Sequence, residues 1–165
     1  MPALTVGSSA PEIQLQTTTG ERFSLAQASK SGPVVAAFFK ASCPVCQYAF
    51  PYLERIFKAY GDTKVKLYGV SQDPKTETEA FAREYGVTFP ILLDDTKTYP
   101  ASNAYGLTNV PSIFLVAPAG KVKLSSVGWS KAEMEDLNRF VAEQNGVAPK
   151  PLFQPGEKVS DFRPG

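Results

Sequence analysis

"VVAAFFKASCPVC", residues 34–46, decides how the rest of the chain is read. Its first six residues, opened by Gly32 and Pro33, form an apolar run rich in Val and Phe. That length and composition predict a strand buried on both faces, at the centre of a sheet. The chain's only two cysteines, Cys43 and Cys46, follow at once with two residues between them. Beyond them Val45, Ala49, Tyr52, Leu53, Ile56, Phe57 and Tyr60 recur at spacings of three and four. Pro44 to about Tyr60 is therefore expected to be a helix with one buried face. Pro51 lies inside it, where a missing N–H and a ring clash predict a kink near residues 47–51. The cysteine pair thus sits at a strand-to-helix junction.

Working outward, "EIQLQT" and "RFSLAQ" read as two extended pieces around "TTGE", with Gly20 as the turn residue of a hairpin. "VKLYGVSQD" (65–73) is the next strand, and "PKTETEAFAREYG" (74–86) is a helix with proline in its first turn and Gly86 at its end. "FPILLDD" is a short strand, and one or two helical turns are expected between Thr96 and Leu107, stopped by Gly106. "PSIFLVAP" and "KVKLSSVG" flank "PAGK" as a second hairpin, its more polar member nearer the sheet edge. "SKAEMEDLNRFVAEQNG" is a helix capped by Ser130, with Glu133 completing a capping box and Met134, Leu137, Phe140 and Val141 as its apolar stripe. Strands alternating with helices, followed by a hairpin, predict an α/β fold: a mixed central sheet flanked by helices, with an N-terminal β-hairpin. Residues 1–147 are expected to form this one domain. Residues 148–165 carry Pro149, Pro151, Pro155, Pro164, Gly156 and Gly165 and read as an irregular tail, in which Leu152 and Phe153 either pin the segment to the body or stand exposed.

Composition narrows the function. A chain of 165 residues, 43% hydrophobic, supports one substantial core. Its 17 basic and 16 acidic residues are mixed, without the basic stripe that a nucleic-acid backbone requires, so nucleic acid is not an expected partner. No apolar run approaches the roughly 18 residues of a membrane-spanning helix, so the chain as given is not expected to insert into a membrane. A cytoplasmic location is the first expectation; the alternative is a periplasmic or other extracytoplasmic protein whose signal or anchor is absent from this sequence. The chain has no histidine, which excludes triad hydrolases and zinc deaminases built on that residue.

Three readings of the cysteine pair remain. A structural zinc needs about four ligands, and two thiols without histidine do not supply them. The two residues are alternatively inert core positions. The third reading is thiol chemistry, favoured by position: near a helix N-terminus, unpaired N–H groups and the positive end of the helix stabilise a thiolate at Cys43. Cys46, nearly one turn further on, is placed to resolve a mixed disulfide. Pro44 and Val45, between the sulfurs, help set the reduction potential. This chemistry needs neither cofactor nor metal.

With "APEIQLQTTTGERFSLAQ", "VVAAFFKASCPVC", Pro51 and "YGLTNVPSIFLVAPAGKV" in place, residues 8–145 resemble the thioredoxin-fold thiol-disulfide oxidoreductases of the cytochrome-maturation branch. These overlap the alkyl hydroperoxide reductase/thiol-specific antioxidant (AhpC/TSA) group. The resemblance implies that Cys43 is the nucleophile, that Cys46 resolves, and that Pro111 is a cis-proline facing the disulfide. From local sequence alone the alternative at Pro111 is a trans proline opening a strand. If it is cis, the backbone of Val110 is offered to an incoming peptide. Trp129 either lines that substrate groove or caps one end of the core.

The chain departs from the family pattern in four places. Ser42 stands where Trp usually precedes the first cysteine, and Ala37 stands where thioredoxin carries a buried Asp. Another carboxylate, water or Lys40 must then assist the resolving thiol. Lys40 and Ala36 occupy the positions of the Thr or Ser and the Pro found before a peroxidatic cysteine. The expected function is exchange of a dithiol/disulfide with protein or small-molecule disulfides, supported by an external thiol donor or acceptor. The alternatives are a thiol-dependent, peroxiredoxin-like peroxidase and a redox-inert peptide-binding module.

Overall fold

The computed structural model describes residues 3–60 and 64–165. Strand β3 (Val34–Phe39) is buried at every residue and lies inside a seven-stranded sheet of order β2-β1-β5-β4-β3-β6-β7. It pairs in parallel with β4 (Lys66–Ser71) and antiparallel with β6 (Ser112–Val116). The sheet is therefore mixed, as expected. The N-terminal hairpin forms from β1 (Gln14–Thr17) and β2 (Arg22–Ser24), and β1 joins the sheet through β5 (Ile91–Leu93). The second hairpin, β6 with β7 (Val122–Val127), puts β7 at the edge.

Alternate side chains of β3 feed two cores. Val35, Ala37 and Phe39 pack with Leu53 of α2 (Pro44–Ala59), Phe81 of α3 (Lys75–Tyr85) and Leu137 of α5 (Lys131–Gln144). Val34, Ala36 and Phe38 pack on the opposite face with Leu25 of α1 (Leu25–Lys30) and Ala101 of α4 (Pro100–Ala104). This period of two is the ordinary consequence of a pleated strand buried on both sides. Helix α2 continues through Pro51, and α3 ends at Gly86 in the left-handed region that a residue without Cβ adopts at least cost. Ser130 caps α5 by accepting the Glu133 N–H, while the Glu133 carboxylate accepts the Ser126 hydroxyl from the adjoining strand.

"RFSLAQ" is extended only as far as Ser24; the rest opens α1. The Glu12 carboxylate accepts the Ala26 N–H, and the Ser24 hydroxyl accepts that of Gln27, so two orphan donors of a helical turn are satisfied. The N-terminal segment lies along β7: Gly7 N–H donates to Val122 O, Val122 N–H to Ser8 O, and Ala10 N–H to Gly120 O.

Residues 148–165 are largely without regular structure, yet they are tied down. Leu152 is buried, Arg55 makes two hydrogen bonds to the Glu157 carboxylate, and β9 (Phe162–Arg163) pairs antiparallel with β8 (Trp129–Ser130). No helix among the described residues is long and apolar enough to cross a membrane.

Candidate active site

The junction between β3 and α2 presents the cysteines. Cys43 is the N-cap residue of α2, with extended backbone, and Pro44 occupies the first turn, where its missing N–H costs nothing. The Cys43 sulfur accepts the N–H of Cys46 at 3.3 Å, the role an Asp or Ser side chain plays at other helix starts. A sulfur held there meets the positive end of a sixteen-residue helix. Cys43 is half-buried beside exposed Ser42 and Pro44, whereas Cys46 is completely buried. Val45 is half-buried between them.

Burial pushes the Cys46 thiol far above its ordinary range; the neighbouring Cys43 and the charge of Asp73 push the same way, against a backbone contact from Lys40. The two sulfurs are thus made unequal by their surroundings, Cys43 half-buried at the helix start and Cys46 buried and held protonated.

Pro111 follows Val110 through a cis bond, as expected. The Val110 carbonyl faces the site, and the Cys43 thiol donates to it at 3.4 Å. Trp129 does not line this groove. It has no exposed surface and stands edge-on to Tyr48 with ring centroids 5.0 Å apart; its indole N–H donates to the Ser160 carbonyl at 2.6 Å. Lys40 points to solvent.

Two groups at the site escaped the sequence reading. Asp73, at the end of β4, accepts the Ala41 N–H at 2.6 Å, and its charge reaches Cys46. It is a carboxylate brought to the pair from another strand. Its position, two residues beyond the last residue of a parallel strand next to β3, is the one available signal for it. The second is Arg163, whose guanidinium lies 4.2 Å from the ring centre of Tyr48. Burial raises the Tyr48 phenol, but hydrogen bonds to Ser160 together with the Tyr52 and Arg163 side chains outweigh it and hold Tyr48 below its usual value.

The comparisons agree with this geometry. The chain is 34% identical over 132 residues to thiol-disulfide oxidoreductase ResA of Geobacillus thermodenitrificans, a match spanning 79% of this chain and 74% of the relative. It is 31% identical over 121 residues to ResA of Bacillus subtilis, spanning 73% and 66%. Among solved structures, the thioredoxin domain of a thiol-disulfide oxidoreductase from Bacteroides vulgatus superposes with a TM-score of 0.74 at 26% identity, covering 84% of this chain and 99% of that domain. The sequence model of the AhpC/TSA family matches residues 6–125, from the N-terminal segment through the cysteine pair and the cis-proline into β7, and the chain belongs to the AhpC/TSA family.

Proposed function

We propose that the chain is a thiol-disulfide oxidoreductase in which Cys43 attacks and Cys46 resolves. The observation that carries this reading is the Cys43 sulfur at the N-cap of α2, receiving the Cys46 N–H. The relatives' names support the reaction class.

In the reducing direction the Cys43 thiolate forms a bond to one substrate sulfur and breaks the substrate disulfide, expelling the first thiolate. Cys46 then gives up its proton and attacks the Cys43 sulfur, releasing the second substrate thiolate and leaving Cys43–Cys46 oxidised. Two electrons pass to the substrate, and an external dithiol restores the pair. Burial of Cys46 delays the second step until the mixed disulfide has formed. Val110 and Pro111 border the sulfur and position the substrate, and Pro44 and Val45 tune the potential. Trp129 serves this groove only through the segment it supports. An extracytoplasmic location is proposed over a cytoplasmic one, on the strength of the resemblance to the cytochrome-maturation thiol-disulfide oxidoreductases.

Reduction of a model disulfide in the presence of a dithiol tests the reading. Cys43→Ser abolishes turnover, and Cys46→Ser accumulates a mixed disulfide visible by intact mass. Rapid peroxide consumption that requires Cys43, without disulfide reduction, assigns the peroxidase chemistry instead.

A further inference from the structure

The segment Ser160–Gly165 lies beside the reactive sulfur, although the exchange chemistry makes no use of it. The Asn109 side-chain amide donates to the Gly165 carbonyl at 3.0 Å. A Cβ placed on Gly165 would fall 2.5 Å from the Val110 carbonyl oxygen, the atom that accepts the Cys43 thiol at 3.4 Å. A single carbonyl therefore separates nucleophile from tail. On the other flank Gly128, at φ +75°, packs against the Arg163 carbonyl so closely that no side chain fits there. The segment covers Asn109, Val110 and Gly128 together.

Its attachment is built. Register pairs Trp129 with Arg163 and Ser130 with Phe162, and the Lys131 N–H donates to Asp161 O at 2.9 Å. The Trp129 indole and the Tyr48 hydroxyl hold the Ser160 carbonyl and N–H. Upstream, buried Leu152 and the Arg55–Glu157 pair prevent the strand from lifting as a whole. An extended polypeptide that added its backbone beside Val110 would need the space held by Arg163–Gly165. Cys43 itself stays accessible past exposed Ser42 and Pro44.

We infer that Ser160–Gly165 is a fixed wall of the groove that selects the substrate. It favours small-molecule disulfides, which reach Cys43 from the Ser42–Pro44 side, over disulfides embedded in an extended polypeptide. The inference rests on the exchange reading above. The electrons are those of the Cys43/Cys46 dithiol, which reduces one disulfide to two thiols and is itself oxidised.

The test mixes pre-reduced protein with insulin or with oxidised glutathione and takes the ratio of the two rate constants. A chain shortened to end at Asp161 keeps Ser160 over Trp129 but loses the residues against Val110. Its insulin-to-glutathione ratio is expected to rise about tenfold, the worth of one or two backbone hydrogen bonds regained by the polypeptide. The full-length double variant Asn109→Ala, Arg163→Ala shifts the ratio in the same direction, and it decides the question if far-UV circular dichroism shows the shortened chain unfolded. A ratio that is unchanged or falls in a folded variant overturns the inference and leaves the exchange reading intact. Failure of the intact chain to react with either disulfide overturns both.

Discussion

The turn that carries Cys43 and the segment that walls it off are made in opposite ways. The turn is local: its sulfur, the amide that receives it and the proline between them lie within four residues. The wall is assembled from distant parts of the chain, with Ser160 meeting Tyr48 across 112 positions and Arg55 meeting Glu157 across 102. Reactivity is thus written into one helix start, while access depends on the whole fold being closed around it. Damage to the first should remove chemistry and spare stability, and damage to the second should do the reverse.

The largest effect tests the first half of that contrast. Cys43→Ser is expected to lower disulfide exchange by at least about a thousandfold, since a hydroxyl in that position is not ionised at neutral pH. Its urea midpoint should stay within experimental error of the parent, and a large loss of stability would show that the turn is not the independent unit described. Trp129→Ala probes the other half. Removing the largest fully buried side chain should cost about 3–5 kcal/mol, read from equilibrium unfolding, because the cavity left under Ser160 is bordered by Tyr48, Tyr52 and Phe153.

A smaller effect sharpens the division of labour between the sulfurs. Because burial and the Asp73 charge keep the Cys46 thiol protonated, resolution of a mixed disulfide should accelerate about tenfold per pH unit through the neutral range. Asp73→Asn removes that charge, so the Cys46 thiol ionises more easily and the stopped-flow profile moves to lower pH. A faster resolution at fixed pH is expected. A profile moved to higher pH would mean that Asp73 acts mainly by taking the proton.

The smallest effect concerns the wall's outer anchor. The hydrogen bond from Arg55 holds the Glu157 carboxyl at about 2, below its ordinary 4.5. A depressed acid stabilises above its unfolded value and loses that contribution as pH falls toward its folded one. The pair is partly exposed, so the change is slight. Iodide quenching of Trp129, the chain's single tryptophan, should rise modestly between pH 4.5 and 2 and remain flat in Glu157→Gln.

How much of this was legible follows the same division. The β3–α2 junction, both hairpins and the Ser130 cap were readable because each is signalled within a few residues, whereas the cis bond at Pro111 came from the family resemblance. The first turn of α1, residues 25–27, was read as extended because one of its capping groups, Glu12, comes from 14 positions upstream of the N–H it accepts. Asp73 was invisible as a site residue because only the parallel pairing of β3 with β4 brings it to Ala41. Trp129 had two possible fates, and the residues that chose between them, Ser160 and Phe153, sit in a segment whose prolines and glycines signal irregularity rather than contact.

The N-terminal stretch laid along β7 has a bearing on behaviour at high concentration. Strand β2, three residues long, ends one side of the sheet, and backbone groups of residues 7–10 occupy partners along the other. Among the described residues, one border is thus a three-residue strand and the other is paired over residues 120–122, which shortens the row of amides and carbonyls on which a second copy can template itself. Trimming the first ten residues is therefore expected to raise the tendency of the chain to associate edge to edge, read by light scattering against the full chain.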